Sequence, residues 1–342
     1  MSNMLPEPEG ESLPHLPLTL ITLRLVLQAE EAMTLPRWKG SLLHGGLGRA
    51  LKSALCNSVC VAGGRCPRAD LCPYRAVFAP DAEEGRSDLR GLRDSPRPYA
   101  IQPPLEAKTA YQVGDCLPFQ LLLAGHASEY LPQLIHAFTT LGEAGLGLDR
   151  GRAALTSVVT YDPLNGRSLP LLKDGVLQNQ VLTITGADLA AAATTLPSTL
   201  TLHFRTPMRI KHEGRFAPLP ECHILVRSAL RRLSALATYF GTAAWNIPFK
   251  EVIEQAQAVR LRTCHTQWVD WSRTSAATGQ HMNWGGFVGN ATYEAVPAPV
   301  RLVLLAGSLV QIGKAVVFGH GAYHITPLPL SQSMISARNS AI

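Results

Sequence analysis

Apolar residues recur along this chain with two periods, and each change of period marks an element. From Leu16 to Leu27 the run LPLTLITLRLVL alternates apolar and polar residues near its end, which predicts a strand. Gly40 to Leu55 switches to helical spacing, with Leu43, Leu47, Leu51 and Ala54 on one face. Asp81 to Pro104 is charged and rich in Gly and Pro, the composition of an irregular loop. A second strand is predicted at Leu117 to Leu123, a helix at Tyr130 to Leu141, and a third strand at Ala154 to Tyr161.

The pattern then weakens. Asp174 to Ser198 is Ala/Thr-rich and is read as a linker. Beyond it the same logic returns. Leu200 to Ile210 reads as a strand, and Pro220 to Phe240 as a strong helix with its stripe at Leu225, Ala229, Leu233, Leu236 and Phe240. Arg227, Arg231, Ser234 and Thr238 fall on another face of that helix. Gly286 to Ala295 reads as a strand, Pro297 to Ile312 as a helix, and GKAVVFGHGAYHI as a Gly-rich loop entering a last strand. The expected architecture is α+β, with two tandem ferredoxin-like (RRM-like) domains at residues 1–180 and 195–342.

Composition narrows the function. The chain has 342 residues and is 46% hydrophobic, enough for two domains with full cores. Its 31 Lys and Arg against 25 Asp and Glu leave a formal charge of +6, which favours polyanionic partners. No apolar run approaches the roughly 18 residues of a membrane span, and the Pro- and Glu-rich start lacks a signal-peptide pattern. A cytoplasmic location is expected, where the seven cysteines would stay reduced.

Four of those cysteines form Cys56-x3-Cys60-x5-Cys66-x5-Cys72, a Cys-rich insertion directly after the first helix. Four thiolates this close suit a structural tetrahedral Zn²⁺ that would pin the segment. An iron–sulfur cluster or four unrelated thiols remain alternatives.

Several ordered motifs carry a family resemblance. They are Gly313-Lys314-Ala-Val-Val-Phe318-Gly319-His320-Gly321-Ala-Tyr323, Gly285-Gly286-Phe287-Val288-Gly289 with Thr292-Tyr293-Glu294, and Phe204-Arg205-Thr206-Pro207-Met208-Arg209-Ile210-Lys211. The helix ending at Leu230 to Ser234 and the segment Trp271 to Ser275 add to them. Trp38-Lys39-Gly40-Ser41 and Cys72-Pro73-Tyr74 extend the likeness more loosely into the N-terminal half. Together these resemble the CRISPR-associated repeat-processing endoribonucleases of the RAMP superfamily. The resemblance implies binding of CRISPR repeat RNA (crRNA) and metal-independent cutting by a ribose 2′-OH, with effector-complex subunits as further partners. A catalytically inactive RNA-holding subunit of the same fold is the alternative.

That chemistry needs a proton-transfer group and a cation. Histidine suits the first because its pKa of roughly 6.5 lies near working pH. The family often places its histidine near the first helix, and His44 is the histidine there. It sits about 100° round from Leu43, at the border of core and solvent. Lys52, about 80° from His44 and two turns along, is expected to stabilise charge in a shared groove. Tyr74 is a further acid/base helper or a packing residue.

Expected RNA contacts are Arg49, Arg209, Lys211, Arg231, Arg273, Gln280 and His281, together with loop residues Gly313, Lys314, Gly319, His320 and Gly321. Arg209 and Lys211 share strand parity and so one face. Glycines leave no Cβ, so their amides can approach phosphates; the alternative is a tight packing turn. The loop lacks the Gly-Lys-Ser/Thr of a nucleotide-hydrolysing P-loop.

Overall fold

The computed structural model describes residues 13–56, 72–80, 96–173, 175–270, 272–274 and 281–327. Strand β1 (Leu20–Ala29) is followed by helix α1 (Gly40–Leu55), then by β2 (Tyr99–Gln102), β3 (Cys116–Ala124), α2 (Leu131–Glu143), β4 (Ala153–Asp162) and β5 (Arg167–Pro170). The sheet order is β2-β3-β1-β4-β5, and every pair is antiparallel. A βαββαβ unit with its first strand between the third and fourth is the ferredoxin-like arrangement.

The second half repeats it. Strand β6 (Leu200–Met208) leads to α4 (Cys222–Phe240), after a linking helix α3 (Gly186–Thr195). Then come α5 (Phe249–Ala258), β7 (Arg260–Val269), β8 (Gly286–Glu294), α6 (Ala298–Val310) and β9 (Tyr323–Thr326). The order β7-β8-β6-β9 is the same permutation. The chain is therefore a tandem ferredoxin-like α+β protein.

Alternation builds the N-terminal core. Leu23, Leu25 and Leu27 of β1 point to the helices and are fully buried, as are Leu43 and Leu47 of α1. Each such leucine contributes roughly 1.5–3 kcal/mol on burial. The opposite parity of β1, with Thr22, Arg24 and Val26, faces a cleft toward the C-terminal domain. The helix α1 runs over the predicted residues, but Ala54 at its end is exposed.

Several expectations change here. The stretch read as a loop through Pro104 contains β2; its residues 81–95 lie outside the described residues. The stretch read as linker contains α3, started by a capping box in which Thr185 and Asp188 satisfy each other's backbone amides. Its Leu189 and Ala193 are buried in the C-terminal core. Ser234, placed on a polar face, is buried, because α4 is packed by both α5 and α6. Arg209 and Lys211 do not share a strand: β6 ends at Met208, before Arg209, and Lys211 belongs to a small hairpin of 211–212 with 215–216.

Candidate RNA-processing site

Helix α1 presents His44 to a pocket walled by three aromatic rings. Phe78 stacks on it with centroids 4.7 Å apart, and Phe318 meets it edge-on at 4.3 Å. Tyr99 of β2 lies 6.2 Å away by centroid, with its hydroxyl 2.8 Å from His44 Nδ1. Only 8% of His44 is exposed. Burial pushes the Tyr99 hydroxyl well above the ordinary tyrosine range, so it keeps its proton and can donate to Nδ1 or accept from it. The walls come from α1, from the π-helical turn Tyr74–Phe78, from β2 and from the turn Val316–Phe318 in the glycine-rich loop.

His44 and Lys52 do not share an open groove. The Lys52 ammonium lies over the Tyr74 ring at 5.1 Å, and Tyr74 stacks on Phe78 at 5.2 Å, which in turn covers His44. Two aromatic layers thus separate the cation from the imidazole, and Tyr74 is a packing residue in this ladder. Arg49 is exposed and, with Arg150, lines a small pocket between α1 and the turn after α2.

The glycine-rich loop is not an open phosphate cradle. The amide of Lys314 donates to Arg209 O, that of Gly319 to Val316 O, that of His320 to Ala315 O and that of Gly321 to Pro207 O. Gly321, at φ 74°, sits where a Cβ would lie 1.8 Å from Ile312 O. Gly313 and Gly319 also have positive φ. These glycines make a tight packing turn, the second of the two readings above. His320 is fully buried between Trp38 (5.4 Å) and Trp284 (5.2 Å), so it is not presented to an RNA. Its burial, with Arg209 nearby, lowers its pKa to about 4. Lys314 itself is exposed.

The loop also joins the two domains. Trp38 Nε1 donates to Phe318 O at 2.8 Å. A Cβ on Gly40, the first residue of α1, would lie 1.9 Å from that same carbonyl, so only glycine lets the backbones touch. Lys39 is fully buried beside it and donates to the carbonyls of Arg37, Glu106 and Lys108. Burial holds its pKa below the ordinary lysine value.

Among the other expected contacts, the Arg209 guanidinium lies 4.0 Å over the Phe216 ring, while Lys211 and Arg231 are exposed. Residues 272–274 and 281–283 form a hairpin whose backbone pairs Arg273 with Met282 and Thr274 with His281. The side chains of Arg273 and His281, and all of Gln280, lie outside the described residues. So do Cys60 and Cys66 of the expected zinc set. Cys56 closes α1 and Cys72 precedes the π-helical turn; among the described residues no three metal-ligating side chains cluster.

Sequence reasoning missed the cleft between the domains. Its volume is about 650 Å³, and Arg24, Gln120, Tyr161, Arg205, Gln311 and His324 contribute its polar lining. The available signal was the polar parity of β1, in which Thr22, Arg24 and Gln28 fall on one face.

Comparison with known proteins agrees with the architecture. Residues 202–323 match the family model of the CRISPR-associated endoribonuclease Cas6, and residues 16–183 match a model described as an N-terminal domain. A Cas6 product complex superposes with TM-score 0.53 at 15% identity, covering 89% of this chain and 98% of that one. Thermus thermophilus Cas6 gives 0.51 at 15% identity, covering 90% and 98%. A partial Cas6-RT-Cas1–Cas2 complex gives 0.53 at 17% identity, covering 92% of this chain and 47% of that one. No curated protein sequence matches. These solved structures share the fold of this chain, two paired ferredoxin-like units. Residues 202–323, which make up most of the C-terminal unit, are thus similar to the CRISPR-associated endoribonuclease family Cas6.

Proposed function

We propose that this chain binds CRISPR repeat RNA and cuts it without a metal, with His44 as the proton-transfer residue. The observation that carries this reading is the hydrogen-bonded, ring-walled imidazole of His44 on α1, in a chain whose residues 202–323 match this endoribonuclease family. In the proposed step a ribose 2′-oxygen forms a bond to the adjacent phosphorus and loses its proton to a base. The bond from phosphorus to the 5′ oxygen breaks, and that oxygen takes up a proton from an acid. The products are a 2′,3′-cyclic phosphate and a 5′-hydroxyl, so no water is consumed.

An imidazole can serve as either proton carrier near neutral pH. The cations would hold the RNA rather than the reacting phosphate: Lys52 stands outside the aromatic ladder, with Arg49, Lys211, Arg231 and Lys314 exposed elsewhere. Repeat RNA is the proposed partner. The likeness to a Cas6-RT-Cas1–Cas2 complex supports other CRISPR proteins as further partners. Among the described residues, no helix is long and apolar enough to cross a membrane.

A second reading is a subunit that holds RNA without cutting it. The near-complete enclosure of His44 favours it, since the ring must reach the RNA to transfer a proton. One experiment separates the two: incubation with repeat RNA in excess EDTA, comparing wild type, His44→Ala and a substrate with 2′-deoxyribose at the cut. Cutting by wild type alone supports the proposal. Tight binding with no cutting leaves the holding subunit.

A further inference from the structure

Strand β2 holds Tyr99 beside His44, yet it is an edge strand of only four residues. One of its edges pairs with β3, from Tyr99 opposite Leu123 to Gln102 opposite Gln120. The sheet of the first unit ends at its other edge. An open edge carries unpaired backbone groups, and a short strand held on one side only frays at low cost. In this chain the second unit closes that edge. The turn at Gly319 lies so near that a Cβ on it would stand 2.3 Å from Pro103 Cδ and 3.2 Å from Ile101 O. The carbonyl of Tyr99, of the same parity as Ile101, is met by a side chain: Arg232 of α4 donates to it from Nη2 at 3.5 Å.

Arginine is a costly residue to put there. Burial lowers the pKa of Arg232 from 12.5 to about 10, so it keeps its charge at neutral pH. Among the described residues no carboxylate pairs with it. A buried cation without a counter-charge is expensive, and it persists where something needs it. Part of the compensation is plain. Its Nε donates at 2.9 Å to the carbonyl of Val310, the last residue of α6, where the helix dipole presents negative charge. An arginine can do this from the surface, however, with its head in water. Capping alone does not account for the burial. What burial adds is the second carbonyl, reached across the boundary between the units. The contact at 3.5 Å is weak by itself. The rigid fork of the guanidinium, anchored at Val310, is what keeps a donor at Tyr99 O.

We propose that Arg232 is a positioning residue for proton transfer at His44: it fixes the open edge of β2 to the end of α6, and so sets the Tyr99 hydroxyl against His44 Nδ1. The chain of contacts is short. Arg232 holds the backbone of Tyr99, and the side chain of the same residue stands 2.8 Å from the imidazole. Arg232 acts through Tyr99 and is not itself a contact for RNA. Its effect on cutting rests on the RNA-processing reading, while its effect on the imidazole needs no RNA.

The test uses the full chain with Arg232→Met, which removes the fork, and Arg232→Lys, which keeps a charge for the end of α6 but reaches one carbonyl only. Single-turnover cleavage of repeat RNA in excess EDTA should fall about fivefold in both, no more than the loss of one hydrogen bond. Affinity for the RNA, read by fluorescence anisotropy, should stay within about twofold of wild type. In a Tyr99→Phe background Arg232→Lys should cost less than about twofold, because the hydroxyl it positions is gone. The imidazole resonance of His44, assigned by its absence in His44→Ala, should shift in both variants without RNA. Losses that add in the double variant, an affinity loss as large as the rate loss, or a His44 resonance identical to wild type would overturn the inference and leave Arg232 a helix cap. If Arg232→Met does not fold, Arg232→Lys carries the same comparisons. Wild type that does not cut repeat RNA refutes the RNA-processing reading, and the His44 resonance then decides this inference by itself.

Discussion

The hydroxyl of Tyr99 stands 2.8 Å from Nδ1 of His44, joining an edge strand to the first helix through one hydrogen bond. The imidazole's orientation is set by that bond and by Phe78 and Phe318. Tyr99→Phe keeps the ring and removes only the hydroxyl. Single-turnover cleavage should fall about tenfold, the equivalent of one hydrogen bond of about 1.4 kcal/mol. His44→Ala should cost roughly 10²–10⁴-fold. Far-UV circular dichroism of both variants should match wild type. A Tyr99→Phe protein that cuts at the wild-type rate would remove Tyr99 from the site.

Gly40 and Phe318 O are too close for any side chain between them, since a Cβ would lie 1.9 Å from the oxygen and 2.8 Å from Trp38 Nε1. Gly40→Ala must push the loop away from α1. The expected loss is about 1–3 kcal/mol, as for overpacking elsewhere, read as a lower urea midpoint. Cleavage should fall with it, because Phe318 is a wall of the histidine pocket. Gly114→Ala is the control for a glycine with open space around it, although its φ of 90° brings some strain of its own.

His320 makes stability depend on pH. Its pKa is lowered from 6.5 to about 4 by burial. Between those values the unfolded chain binds the proton and the folded chain does not, so stability falls as pH drops from 6.5 toward 4. The full loss is roughly 3 kcal/mol over that window. Urea titrations at pH 7, 5.5 and 4.5 should show the trend, and His320→Gln should flatten it. An unchanged slope in the variant would assign the pH dependence to other groups.

Lys39 offers a third structural test. Its ammonium donates to three backbone carbonyls from two segments, tying the stretch 106–108 to the start of α1. Lys39→Met keeps the length and leaves those acceptors without their donor. The expected destabilisation is about 2–4 kcal/mol, by the cost of unsatisfied buried groups. A midpoint equal to wild type would show that the carbonyls find other partners.

The pattern of the sequence reaches the helices and the central strands well. Helix α1 runs from Gly40 to Leu55 as its spacing predicts, and all five stripe residues of α4 are buried. The same element escapes in both halves: the second strand of each unit, β2 and β7. Both are edge strands. Strand β2 is four residues long and follows a charged, Pro-rich segment, while β7 is exposed along most of its length and lacks an apolar parity. Strand β2 is buried but too short to show a period, and β7 is too exposed for burial to leave an imprint on its sequence.

Of the candidate site, His44 was named through the family resemblance, but the rings around it could not be, since Phe78, Tyr99 and Phe318 are distant from it in sequence. The polar residues Gln311 and His320 were hidden inside apolar or glycine-rich runs, where period and composition say nothing of direction. His320 read as an exposed loop residue because glycines surround it, and in the structure those glycines let the loop fold inward around it.

The contact of Phe318 with His44 also has a timing consequence. A ribosome makes α1 early, and domains made first tend to fold first. Phe318 emerges only when the second unit is nearly complete. Until then the imidazole lacks one of its walls and Trp38 lacks its acceptor. A nascent or prematurely ended chain would therefore carry the histidine without the finished pocket. Any RNA-cutting capacity would arrive only with the last elements of the fold.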